Sequence, residues 1–168
     1  MSDLAGNIEQ HIPRLRRYAR ALTGDRAAAD DLVQDTLERA LSRFHLWRRG
    51  SDLRAWLFTI MHNIFVNQAR SRMRYPHEPF DEPAAERLQY REPDWSELRD
   101  IGDALAKLPV EQRTVVLLVG LEQFTYDEAA RVLDVPIGTV MSRLSRARER
   151  LRALLGGEFR SAALKVVK

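Results

Sequence analysis

Apolar residues recur along this chain at intervals of three and four, and nowhere do they alternate as a strand would, so the pattern predicts an all-α fold. Ile12, Leu15, Tyr18, Ala19 and Leu22 line one face of a first helix that Gly24 ends. A second helix runs from about Arg26 to Phe44, with Leu32, Val33, Thr36, Leu37, Ala40, Leu41 and Phe44 facing inward. His45–Asp52 reads as a loop from its Gly-Ser pair and doubled arginine. A third helix then spans Leu53 to about Arg74, with Leu53, Trp56, Leu57, Ile60, Ile64 and Phe65 as its core stripe, and Phe58 also read as packing. Over residues 76–96 four prolines and a cluster of acids break every period, the signature of a flexible linker, although Phe80, Leu88, Tyr90 and Trp95 make it stickier than an inert tether. The helical period resumes with Leu98, Ile101, Leu105 and Leu108; Pro109 opens a further helix that buries Val115, Leu118 and Val119 and stops at Gly120. The organisation is two small helical domains, residues 7–75 and 97–156, on a linker over 76–96.

The last third carries the first hint of chemistry. Phe124–Asp134 reads as a short amphipathic helix, Val135-Pro136-Ile137-Gly138 as a turn, and Thr139–Leu155 as a longer helix, the outline of a helix-turn-helix. Ala129, Ala130 and Leu133 are small enough to let a second helix pack across the first, whose opening turn holds Tyr126, Asp127 and Glu128. The second helix keeps Val140, Leu144, Ala147 and Leu151 for the core. Met141, Ser142, Ser145 and Arg146 are left outward, with Arg143, Arg148 and Arg150 at the edges of the stripe, a set suited to phosphates and base edges. A charge run is more often a solvated face, but here a single acid, Glu149, interrupts five arginines between Arg143 and Arg152. That favours DNA.

Charge refines the picture without changing it. The formal charge is only +3, yet residues 1–75 hold 13 basic and 8 acidic side chains, residues 76–96 hold 2 and 6, and residues 97–168 hold 12 and 10. Two cationic ends flank an acidic middle, so attraction to an anionic polymer is local. The chain has no cysteine, which excludes disulfides, thiolate metal sites and cysteine nucleophiles and points to the cytosol. Asn7–Leu22 mixes His11, Pro13 and four arginines with its apolar positions, unlike a secretory signal, and no later stretch has the length of a membrane span.

Enzyme chemistry finds little support. His11, His45, His62 and His77 lie far apart with no carboxylate at ligand spacing, so no metal or cofactor is expected. There is no strand followed by a glycine-rich phosphate loop, and Gly24 and Gly138 read as helix punctuation. Asp30, Asp31 and Asp35 cluster, but two carboxylates four apart on an exposed helix more often form a solvated or partner-binding face than an acid–base pair.

Two motif sets carry a resemblance. The run Asp30-Asp31-Leu32-Val33-Gln34-Asp35-Thr36-Leu37-Glu38-Arg39-Ala40, then Leu53-Arg54-Ala55-Trp56-Leu57-Phe58-Thr59-Ile60 and Asn63, resembles region 2 of the extracytoplasmic-function group of bacterial sigma factors. Further on, Leu108-Pro109-Val110-Glu111-Gln112-Arg113, Phe124-Thr125-Tyr126-Asp127-Glu128-Ala129-Ala130 and Pro136-Ile137-Gly138-Thr139-Val140-Met141-Ser142-Arg143 resemble their region 4. Both sets occur in the family's order and cover nearly the whole chain outside the linker and the last dozen residues. The look of residues 14–41 points toward the general-stress branch.

The resemblance implies a dissociable, non-catalytic promoter-specificity subunit of RNA polymerase, monomeric when free and restrained by an anti-sigma factor. It assigns Asp31, Gln34, Asp35, Glu38 and Arg39 to the clamp of the polymerase's largest subunits, where short acidic and amide side chains suit a basic partner helix. It gives the third helix and the loop before it the minus-ten element and the unpaired non-template strand. That task needs a stacking platform, amides to read a base edge and backbone cations. Trp47, then Asn63 and Asn67, then Arg70, Arg72 and Arg74 supply them; Asn63, Asn67, Arg70 and Arg74 recur at four, three and four, forming one polar ridge. The minus-thirty-five duplex falls to the last helix, with Met141, Ser142, Ser145 and Arg146 nearest base edges and Arg143, Arg148 and Arg150 on phosphates. Many family members carry a basic residue where this chain has Met141, which cannot donate to guanine. Two other readings stand beside this one. A stand-alone helix-turn-helix regulator leaves the Asn63–Arg74 ridge without a purpose, and a sigma-like mimic that sequesters an anti-sigma factor has no need of it.

Overall fold

The computed structural model describes residues 2–74 and 96–156, and every regular element among them is helical. The expected linker over 76–96 lies outside the described residues except for Ser96. Helix α1 (Ser2–Glu9), absent from the sequence reading, precedes α2 (Ile12–Thr23), α3 (Arg26–Ser42) and α4 (Leu53–Arg74), with a single 3-10 turn at Phe44–Leu46. The second unit holds α5 (Ser96–Lys107), α6 (Val110–Val116), a π turn over Leu117–Leu121, α7 (Tyr126–Leu133) and α8 (Ile137–Leu154).

Capping chemistry explains where these helices begin and end. Gly24 ends α2 in the left-handed conformation at φ 68°, a geometry that costs glycine nothing, and its N–H donates to the Arg20 carbonyl. The Asp25 carboxylate accepts from the Ala28 N–H at 3.2 Å and so starts α3; Asp52 does the same for α4 through the Ala55 N–H. Thr125 and Glu128 form a reciprocal capping box at the head of α7. Helix α8 starts at Ile137, with Pro136 as its cap, so Ile137 and Gly138, expected in the turn, lie in its first turn. Gly138 is not among the positive-φ residues; the tight bend is made instead by Asp134 at φ 54°.

The core stripes hold with three corrections. Leu15, Tyr18, Ala19 and Leu22 of α2 are buried, as are Val140, Leu144, Ala147 and Leu151 of α8. Leu41, expected inside, is 60% exposed, because it sits in the last turn of α3 with nothing packed against that side. Helix α4 is buried more widely than expected: Phe58 is buried as read, and Met61 is buried too, since both α3 and α7 pack on this helix. The helix over Val115–Val119 does not stop at Gly120 but continues to Leu121 as a π turn.

The two units share one hydrophobic core. Helix α2 packs against α5 and the π turn, and α4 packs against α7. Tyr18, Phe58 and Phe124 stack edge to face, at 5.1 and 5.3 Å between centroids, in a line that runs from one unit into the other; such pairs add about 0.5–1.5 kcal/mol each beyond area burial. Arg113 of α6 donates to the Leu105, Ala106 and Leu108 carbonyls of its own unit and to the Leu22 carbonyl at the end of α2. One planar guanidinium thus satisfies the open carbonyl ends of two helices.

Candidate nucleic-acid interface

Helix α8 presents the cationic face that its sequence predicts. With Val140, Leu144, Ala147 and Leu151 turned inward, Met141, Ser142, Ser145, Arg146 and Arg150 are exposed, while Arg143 and Arg148 are half-buried at the edges. Met141 is 52% exposed beside the helix start, where an apolar side chain gains nothing from water and can meet a thymine methyl. Helices α6 and α7 both pack against α8 and support its exposed face.

The ridge on α4 is equally open. Asn63, Asn67, Arg70 and Arg72 are exposed, and Arg74 lies outside the described side chains. Trp47 is half-buried: its ring tilts onto Phe44 at 5.2 Å, and Phe44 in turn stands edge-on to Trp56 at 6.2 Å. Its indole Nε1 is buried without a partner. Trp56 and Asn63 are seven residues apart, close to two full turns, so the aromatic cluster and the Asn63 amide share one face about 10 Å apart along the axis.

The acidic stripe of α3 faces solvent at every position expected of it: Asp31, Gln34, Asp35, Glu38 and Arg39 are exposed. Gln34 donates to Glu38 at 3.3 Å along the helix. Across the helix pair, Gln68 of α4 donates to Asp35 at 3.4 Å, and Asp35, Glu38, Arg39 and Asn67 line one groove of about 640 Å³ with Ser42, Ile64, Gln68 and Ser71. Asn67 therefore belongs as much to the acidic groove as to the ridge. Gln68 escaped sequence reading because its role depends on the α3–α4 pairing.

His62, next to Asn63 on α4, is half-buried with its Nδ1 unpartnered. Burial holds it below the ordinary histidine range, and Arg143 of α8 adds to the effect. Helix α8 thus lies close to α4 in this arrangement. Among the described residues no group of His, Asp and Glu is placed to hold a metal ion, and no helix is long and apolar enough to cross a membrane.

Comparison with known proteins places these faces in context. Residues 8–62 match the family described as the sigma2 domain of PhyR, and residues 98–151 match sigma-70 region 4. The chain is 41% identical over 154 residues to the ECF RNA polymerase sigma factor EcfG of Rhodopseudomonas palustris (strain TIE-1), an alignment covering 90% of this chain and 84% of the relative. Its structure is similar to the sigma factor RpoE in complex with the anti-sigma factor NepR from Bartonella quintana, at TM-score 0.78 and 37% identity over 94% of this chain and 99% of that one. It is also similar to CnrH in complex with the cytosolic domain of CnrY, at TM-score 0.68 and 29% identity over 92% and 88% of the two chains.

Proposed function

This chain belongs to the extracytoplasmic-function RNA polymerase sigma factors of the sigma-70 family, and on that premise we propose how its surfaces divide the work. Residues 7–75 serve as region 2, 76–96 as the linker and 97–156 as region 4. The α3 stripe of Asp31, Gln34, Asp35, Glu38 and Arg39 docks on the polymerase clamp. The α4 ridge of Asn63, Asn67, Arg70, Arg72 and Arg74, with Trp47, takes the minus-ten element, and the exposed face of α8 takes the minus-thirty-five duplex. The chain acts in the cytoplasm and carries no reacting group of its own: it directs where the polymerase starts. An anti-sigma factor restrains it, as NepR is bound to the Bartonella sigma factor.

The observation that supports this reading is the presence of two open polar faces on one chain, the amide ridge of α4 and the arginine face of α8, both outside the core. A lone helix-turn-helix regulator has no use for the first. Reconstituted transcription with core polymerase tests it. Asp35→Arg is expected to weaken polymerase association at least tenfold, about 1.4 kcal/mol, because like charges across an interface are costly. Unchanged affinity in direct titration would remove the stripe from the docking face.

Region 4 gives a separate expectation. Arg146→Ala loses discrimination at one upstream base pair, about 1–3 kcal/mol for a bidentate contact to guanine, whereas Arg150→Ala weakens all sequences alike and flattens the salt dependence. Binding of both variants to matched and mismatched upstream duplexes at two salt concentrations decides; equal, sequence-independent losses would take Arg146 out of the base-reading set. A second reading, a mimic that sequesters an anti-sigma factor, draws on the match of residues 8–62 to the sigma2 domain of PhyR. It predicts no promoter-specific transcript from the same reconstitution.

A further inference from the structure

We propose that Ile137 and Met141 form an apolar strip on α8 that reads the C5-methyl of thymine, so that the upstream element carries a thymine recognised without a hydrogen bond. The proposal rests on the division of surfaces given above, with α8 on the upstream duplex. It adds the base that this part of the helix selects, and it gives a task to Ile137, which that division leaves without one.

The exposed side of α8 is chemically two-sided. At 3.6 residues per turn, Ile137, Met141 and Ser145 fall within about 80° of arc, and Arg143, Arg146 and Arg150 within about 60° on the opposite flank. Ile137 is 43% exposed and Met141 52%. Single exposed apolar side chains are ordinary on a protein surface, but these two stand one turn apart on a face otherwise made of serine and arginine at this end of the helix. The space beside that turn is open as well: a Cβ added at Gly138, between the two, would meet no atom within 4 Å. Further along the same flank come Arg148 and Arg152, so the strip changes from apolar to cationic as α8 runs from base edges toward phosphates.

The chemistry of the major groove leaves one match for the apolar part. Guanine, adenine and cytosine present donors and acceptors there, which the isoleucine side chain cannot answer and a thioether answers only weakly; the thymine methyl is the apolar group. A cytosine in the same place would set its N4 amino donor against carbon and lose that donor's water with nothing in return. Spacing agrees with one short patch. Ile137 and Met141 are separated by about 6 Å along the helix axis, against about 3.4 Å per base step, so with the helix lying along the groove the pair spans fewer than two steps.

The test uses the full chain assembled with core polymerase and a pool of promoter duplexes randomised across the upstream element. Selection for binding is expected to enrich an element with at least one fixed thymine. Replacing that thymine by deoxyuridine removes the methyl and leaves every hydrogen-bonding group in place. It is expected to lower the affinity of the wild-type assembly about fourfold, equivalent to about 0.8 kcal/mol for one buried carbon group. Ile137→Ala and Met141→Ala are each expected to bind the thymine duplex more weakly, and the variant carrying both is expected to bind the thymine and deoxyuridine duplexes alike. Both positions are exposed, so helicity by circular dichroism and the thermal midpoint are expected to stay at their wild-type values. The proposal is overturned if no enriched thymine is sensitive to loss of its methyl, or if the methyl counts as much in the double variant as in wild type. Failure of the underlying reading has a different signature: the pool yields no enriched upstream element at all, and the strip falls with it.

Discussion

Phe124→Ala is expected to destabilise the chain by about 3–5 kcal/mol, the range for removing a fully buried aromatic ring and leaving a cavity. The ring is 1% exposed, edge-on to Phe58 and beneath the Arg54 guanidinium, and its neighbours Tyr18 and Phe58 are themselves fully buried and have no room to collapse inward. Its position adds a qualitative effect. Since Phe124 is the aromatic link between the units, its loss uncouples them, and a single cooperative transition in urea becomes two. Far-ultraviolet circular dichroism, which reports on the helices, and the fluorescence of Trp47 and Trp56 in a Trp95→Phe background, which reports on the first unit, measure both effects. A loss under about 1 kcal/mol with coincident transitions would mean that the coupling of the units does not depend on Phe124.

Asn63→Ala is expected to reduce transcription from a fully duplex promoter at least tenfold while leaving polymerase affinity unchanged. An amide offers a donor and an acceptor that match a base edge only once the base has left the stack, so the loss falls on the open complex. Trp47→Ala is expected to act in the same direction, since an aromatic platform contributes roughly 1–3 kcal/mol per stacked base. The Trp47 ring is also tied to Phe44, so this variant loses some thermal stability as well, and Asn63→Ala, at an exposed position, does not. A pre-melted template supplies the unpairing but not the pocket and restores only part of the activity. Full restoration would show that Asn63 assists melting without reading a base.

Local chemistry made much of this fold legible in the sequence. The α8 stripe of Val140, Leu144, Ala147 and Leu151 and the α2 stripe of Leu15, Tyr18, Ala19 and Leu22 are periodic because one face of each helix meets one core. Helix α7 lies within the Phe124–Asp134 span expected for it, with Thr125 and Glu128 capping its start. The errors fall where a residue's setting is decided elsewhere. Met61 lies off the main α4 stripe and is buried because α4 is covered on more than one side, by α3 and by α7 of the second unit. Leu41 keeps the period but runs past its covering partner. Gly138 reads as a breaker, and the bend fell to Asp134, a short polar residue that tolerates positive φ. Arg17 and Glu122 are 105 residues apart, so no spacing rule links them. The candidate faces on α3, α4 and α8 were readable as surfaces; the contacts that join the units were not.

The order of synthesis gives the shared core a further consequence. Tyr18 and Phe58 belong to the first unit, and the Phe124 ring that stands edge-on to Phe58 is encoded roughly 65 residues after it. At about 5–20 residues per second, the ribosome leaves this apolar face uncovered for roughly 3–13 s after it is made. The four helices α1 to α4 are thus presented to the cell with their aromatic socket open, long enough for a chaperone to visit. Slowing elongation before residue 124 lengthens that interval, and a chain truncated ahead of it never closes.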